Sequence, residues 1–205
     1  MSTAKHNSLT NEQKEKLAEV LEDKLPSPYQ DLTSFDVLKR KYSFYPDWTC
    51  YEIGHREKIS DKPLIVFVKK KEAVVFDWTP QKIYDFNVQA PLQIDLKNIC
   101  DYLEFFFERS RGSQGRVLLI NNSDHFHWRE EPPLAIRKTL ASIIQPAMVV
   151  AWDEDRKLCE IKAFLLFKNH LFSGLIQVDG DGVVDIKDRR IQVEDMPILD
   201  DFLQQ

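Results

Sequence analysis

Two histidines one residue apart stand in the segment Asp124-His125-Phe126-His127-Trp128. On an extended chain His125 and His127 point to the same side. A pair of imidazoles spaced in this way can ligate a metal, but a site needs a third or fourth donor. His55, Glu130 and Glu131 could serve, yet no spacing ties them to the pair. The competing reading is a surface loop ahead of a helix, with Phe126 and Trp128 packed inward. No metal and no cofactor is therefore expected, and His125/His127 stand as the metal candidate.

Asp179-Gly180-Asp181-Gly182 resembles the start of a calcium loop but lacks its closing glutamate, the position eleven beyond Asp179 being Arg190. A hairpin turn with glycine at positive φ is the expectation. Gly112-Ser113-Gln114-Gly115 lacks the Lys-Ser/Thr of a phosphate loop and follows a helix, at its negative end. Ser113 has Gly115 two residues on but Arg111 two residues before, so it lacks the pair of second-neighbour glycines of a nucleophile elbow. A helix-to-strand turn is expected there. The acidic run Asp153-Glu154-Asp155 falls in a turn, and Glu194-Asp195 in a polar tail, where solvated carboxylates are ordinary.

Lys39-Arg40-Lys41 precedes Tyr42, Phe44, Tyr45 and Trp48. Basic residues interleaved with aromatics can hold single-stranded nucleic acid by phosphate contact and stacking. They can also seal a core edge or anchor a protein interface. The 205 residues carry 28 Lys and Arg against 33 Asp and Glu, a net charge of −5, which argues against nucleic acid as the main partner. A protein interface is taken for these aromatics. A second is taken for Ile198, Leu199, Phe202 and Leu203, which would share one side of a short C-terminal helix docked on the chain itself or on a partner.

These residues need elements to position them. Thr10-Asn11-Glu12-Gln13 fits a capping box opening a helix through Leu17, Val20, Leu21 and Leu25. Thr33-Ser34-Phe35-Asp36 is a second helix start. Thr49–Ile53, Pro63–Val68 and Ala73–Trp78 read as strands, and Asn87–Pro91 as a loop. Asp95–Arg111 reads as a helix, with Leu96, Ile99, Leu103, Phe106 and Phe107 on its apolar face and Gly112 as its left-handed stop. Arg116–Ile120 is a compact strand. Pro132-Pro133 opens a helix with Ile136, Leu140, Ile143 and Ile144 on its stripe. Met148–Trp152, Leu158–Phe167, Leu171–Val178 and Val183–Ile186 alternate with period two and have short connections, which implies an antiparallel meander. Ile191–Val193 is a final strand.

The fold class is α+β: antiparallel sheets, including a C-terminal four-stranded meander, covered by amphipathic helices in one bilobed unit or two small domains. The expected organisation is a flexible tail over residues 1–9, an α+β block over 10–121, a helix and meander over 133–193, and an acidic and apolar tail over 194–205. No apolar run approaches the ~20 residues of a membrane helix. The polar start carries no secretory signal. Cys50, Cys100 and Cys159 lack pairing motifs and read as reduced thiols in a cytoplasmic protein. With no nucleophile–base set in view, the expected function is a non-enzymatic interaction or adaptor subunit, chaperone-like, with a protein partner or a second copy of itself. The alternative is a small-ligand or sensory module with a pocket between sheet and helix.

Overall fold

The computed structural model describes residues 7–21, 24–55 and 62–198. The fold is α+β, built on two antiparallel sheets. The chain forms two compact units, Met1–Trp78 with Asp85–Gln93 and Thr79–Tyr84 with Ile94–Gln205.

The first unit begins with β1 (Asn7–Ser8) and α1 (Asn11–Leu21). The capping box closes as expected: the Thr10 amide donates to Gln13 Oε1 at 3.0 Å and the Gln13 amide to Thr10 Oγ1 at 3.4 Å. The second expected helix start is a single 3-10 turn, Leu32–Ser34, followed by β2 (Asp36–Arg40). Asp31 holds that turn by accepting from the Thr33 amide, and the ladder then claims Val37, which pairs with Ile53. The sheet continues through β3 (Thr49–Gly54), β4 (Leu64–Lys69) and β5 (Glu72–Phe76), each strand antiparallel to the one before. One face carries Val37, Ile53 and Val66 against Leu17, Leu21, Leu25 and Leu32. Strand alternation and the 3.6 period of α1 thus meet in one core.

The expected loop at Asn87–Pro91 is instead the end of α2 (Pro80–Gln89). Thr79 Oγ1 accepts from the Lys82 amide at 3.2 Å, and Pro80 occupies the first turn, where its missing N–H is no loss.

The second unit holds α3 (Ile99–Arg109), β6 (Val117–Ile120), α4 (Leu134–Ile143), β7 (Met148–Asp153), β8 (Leu158–Phe167), β9 (His170–Val178) and β10 (Val184–Val193). The expected final strand at Ile191–Val193 is the end of β10. The meander β8-β9-β10 is extended along the free edge of β8 by two short strands placed end to end. There β7 pairs with residues 158–162 of β8 and β6 with residues 164–167. This pairing takes β6 out of the block expected over residues 10–121. β6 belongs to the later sheet, and the units divide near residue 93.

One face of this sheet carries Cys159, Ile161, Ala163, Leu165 and Phe167, with Val178, Ile176, Gly174, Phe172 and His170 opposite them on β9. α3 lies across that face: Tyr102 donates its hydroxyl to the Gly182 carbonyl at 2.7 Å, and Cys100 Sγ lies 3.7 Å from the Ala147 carbonyl. The other face carries Phe164, Leu166 and Leu171, packed with Ile120, Phe126, Leu140, Ile144, Met196 and Ile198.

Three local expectations are corrected. Asp95 caps a turn, accepting from the amides of Lys97 and Asn98, and α3 starts only at Ile99, which leaves Leu96 exposed. Gly112 is not a left-handed stop: positive φ falls at Gly115, and α3 ends in extended Ser110, whose hydroxyl donates to the Phe106 carbonyl at 2.6 Å. On α4, Ile136 is exposed, and within the helix Leu140 alone is fully buried.

Candidate functional site

Phe44, Tyr45 and Trp48 are core residues of the first unit and present no interface. Phe86 is their hub. Its ring centroid lies 4.9 Å from Tyr45, 5.0 Å from Trp48, 4.7 Å from Phe67 and 5.3 Å from Phe76. The Tyr45 hydroxyl donates to Asn87 Oδ1 inside this cluster. Tyr42 is half-buried and stacks on Phe44 at 5.0 Å. For Phe44, Tyr45 and Trp48 the interface expectation is corrected: their rings are buried, and α2, unseen in the sequence pattern, supplies Phe86 against Tyr45 and Trp48. Arg40 of the basic run pairs with the buried Glu52 at 2.6 Å.

Ile198 is also internal. It forms an isolated bridge with Trp128, and the Arg129 amide donates to the Pro197 carbonyl at 2.9 Å. Pro197 and Ile198 dock on the same unit through this extended pairing. Leu199, Phe202 and Leu203 lie outside the described residues.

His125 and His127 are both exposed and both line a groove of about 380 Å³ beside α3 and β6. Phe126, between them, is buried and meets Trp128 edge-on at 5.3 Å, as expected. Asn122 shapes the loop by accepting from the Asp124 amide at 2.8 Å. Glu104 and Glu108, one helical turn apart on α3, face the same groove with Arg116 and Asp124. Burial, then the charges of Glu108 and Asp101, hold the Glu104 carboxyl above its ordinary value, while His125 acts the other way. Burial, then Arg111, lowers the Arg116 guanidinium to about 10, still cationic at neutral pH. The groove therefore mixes signs. Among the described residues no three His, Cys, Asp or Glu side chains come together as a metal site. His55, one of the expected third donors, packs on Phe35 at 4.5 Å in the first unit.

A second cleft, of about 300 Å³, opens on the α3 side of the same sheet. Its walls are Val117, Leu165, Phe167, Phe172 and Ile186, all on one face by register. Its roof is the Gly112–Gly115 turn, whose amide and carbonyl groups bond each other at 3.0 and 3.1 Å. Ser113, Gln114 and Arg189 supply polar groups at the rim. α3 ends at Arg109, so the inner face runs on past the helix and the turn covers it loosely. An apolar concavity with a few polar groups around it is the chemistry of a small-molecule site.

The acidic hairpin is a tight hydrogen-bonded turn. Asp179 Oδ1 is engaged in its own turn by the amides of Asp181 and Val183 at 3.0 and 2.9 Å, and Gly182 takes φ 78°. Cys50 and Cys159 are buried, Cys100 is half-buried, and all three are free thiols. Burial pushes the Cys159 thiol up to about 11, which makes it a poor nucleophile.

The alternation of β8 shows an apolar inner face at sequence level, but nothing there marks Phe172, Ile186 and Arg189 as its neighbours. Glu104 and Glu108 could be read as one polar stripe of α3. Their meeting with His125 depends on where β6 pairs. Comparison with protein-family models, with curated proteins and with solved structures finds no significant match for this chain.

Proposed function

We propose that this protein is a non-catalytic small-ligand-binding module, and that the cleft beneath the Gly112–Gly115 turn is its binding site. One observation carries the reading. Five apolar side chains from four strands line a cavity of about 300 Å³ that no side chain of the described residues fills. That volume lies at the small end of the range for ligand sites. The test is titration with the neutral apolar fluorophore N-phenyl-1-naphthylamine. One molar equivalent is expected to bind the parent chain, and Val117→Trp, which fills the cleft from β6, abolishes binding while thermal melting shows the fold retained. Equal binding by a folded Val117→Trp variant removes the cleft as the site.

The adaptor reading keeps one specific observation. α4 exposes Leu134 and Ile136 at 67% and 46%, an apolar stretch that its own unit does not cover. On that reading Leu134→Ser with Ile136→Ser abolishes an association seen by sedimentation or co-purification. An unchanged association counts against it.

A further inference from the structure

The cleft has a cation placed over it by an irregularity of the sheet. β10 pairs Ile186 with Ile176 and Arg189 with Gly174, and a register shift lies between Ile186 and Asp188. Ile176 and Gly174 are two residues apart, so they share one face. Ile186 and Arg189 are three apart and in a regular strand would face opposite ways. The extra residue, Lys187, brings them to the same side. Without the bulge Asp188 would stand opposite Gly174. The bulge thus exchanges an anion for a guanidinium above an apolar floor, and re-aiming a side chain is what bulges do beside functional sites.

Gly174, opposite Arg189, adds no side chain to this face; a Cβ there would meet the Asp188 backbone oxygen of the bulge at 3.3 Å, Leu165 Cδ1 at 3.6 Å and Ile186 Cγ2 at 3.7 Å, so the bulged backbone packs closely over the glycine. Among the described residues no carboxylate pairs with Arg189, whereas Asp185 pairs with Lys187, and Asp188 lies 4.0 Å from Arg190. In the turn above, the Gly112 and Gly115 amides are engaged with each other's carbonyls and do not face the cleft as free donors. One guanidinium matches the two oxygens of one carboxylate; a phosphate dianion would want further donors.

We propose that the cleft takes a small amphiphile with a single carboxylate, its apolar body against Leu165, Phe167 and Phe172 and its head group on Arg189. This rests on the ligand-binding reading of the cleft. The rival explanation for an inward charge and a bulge on an edge strand is protection against edge-to-edge pairing.

Calorimetric titration of the full chain with octanoate, octanol and octylammonium separates these outcomes. Octanoate is expected to bind about tenfold more tightly than octanol, and octylammonium more weakly than either. Arg189→Gln lowers octanoate affinity to that of octanol and leaves octanol unchanged. Arg190→Gln removes the same charge from the other face of the strand and leaves both unchanged. Equal binding of octanoate and octanol overturns the carboxylate assignment while the cleft reading stands, as does an equal loss in both variants. The carboxylate assignment also fails if Arg189→Gln self-associates with octanoate affinity intact. If none of the three binds, the cleft reading falls with it.

Discussion

Glu104 shows how a residue's chemistry is set by its neighbours. Its carboxyl is raised by burial first, then by Glu108 and Asp101 on its own helix; from the facing loop His125 opposes the shift. Arg116, Asp124 and His127 share the groove. A carboxyl raised in the folded state holds its proton more tightly than in the unfolded chain. Its contribution is complete below the ordinary carboxylate value and is lost as pH rises through the raised one. Glu104→Gln is neutral throughout, so it should melt higher than the parent at about pH 7, with the gap closing near about pH 3. A gap of the same size at both pH values would refute the burial account. Ile198 is the second informative residue. It is 2% exposed and sits among Phe126, Leu140 and Phe164. Ile198→Ala should cost ~2–4 kcal/mol in denaturant unfolding. A loss below ~0.5 kcal/mol would mean that the C-terminal segment does not dock.

At the scale of elements, α4 and β6 are the instructive cases. The apolar positions of α4 suggest a buried stripe, but the sheet meets only its C-terminal end. Leu140 and Ile144 enter the core while Leu134 and Ile136 stay in solvent. Leu140→Ala should therefore cost ~2–4 kcal/mol. The pair Leu134→Ser and Ile136→Ser should change stability by no more than ~0.5 kcal/mol beyond its effect on helix propensity. Chemical denaturation of both variants checks the assignment, and a large loss in the serine pair would place the helix face wrongly. β6 has four residues and pairs with only one end of β8. Its edge forms one wall of the histidine groove, and Val117 turns into the apolar cleft. One short strand thus borders both sites.

Across the whole molecule the two units each carry a core of their own. Among the described residues no helix is long and apolar enough to cross a membrane. The net charge is −5, which disfavours a phosphate backbone as the main partner. Arg40 is paired with Glu52, and of the rings that follow the basic run Phe44, Tyr45 and Trp48 are inside while Tyr42 is half-buried against Phe44. Fluorescence anisotropy with a single-stranded oligonucleotide should show no binding at physiological ionic strength. Micromolar affinity that falls steeply with salt would overturn this.

What could be read from the chain alone was local. The capping box at Thr10 and Gln13 joins groups three residues apart. Proline at the start of α4, the period of α3 and the alternation of β8 likewise depend on near neighbours in sequence. Short loops then made β8, β9 and β10 antiparallel neighbours. α2 also had a local signal, Thr79-Pro80, which its mixed apolar pattern concealed. The rest required partners distant in sequence. Leu96 and Ile136 sit on apolar stripes, but only the sheet's extent decides whether a stripe position is covered. The rings of Tyr45 and Trp48 are buried against Phe86, some forty residues later in the chain, and Phe44 packs edge-on against Tyr45. The candidate site depends on the tertiary structure most of all. Arg189 faces the cleft because β10 slips by one residue against β9, and such a slip is set by the balance of packing across a whole ladder rather than by any residue within it.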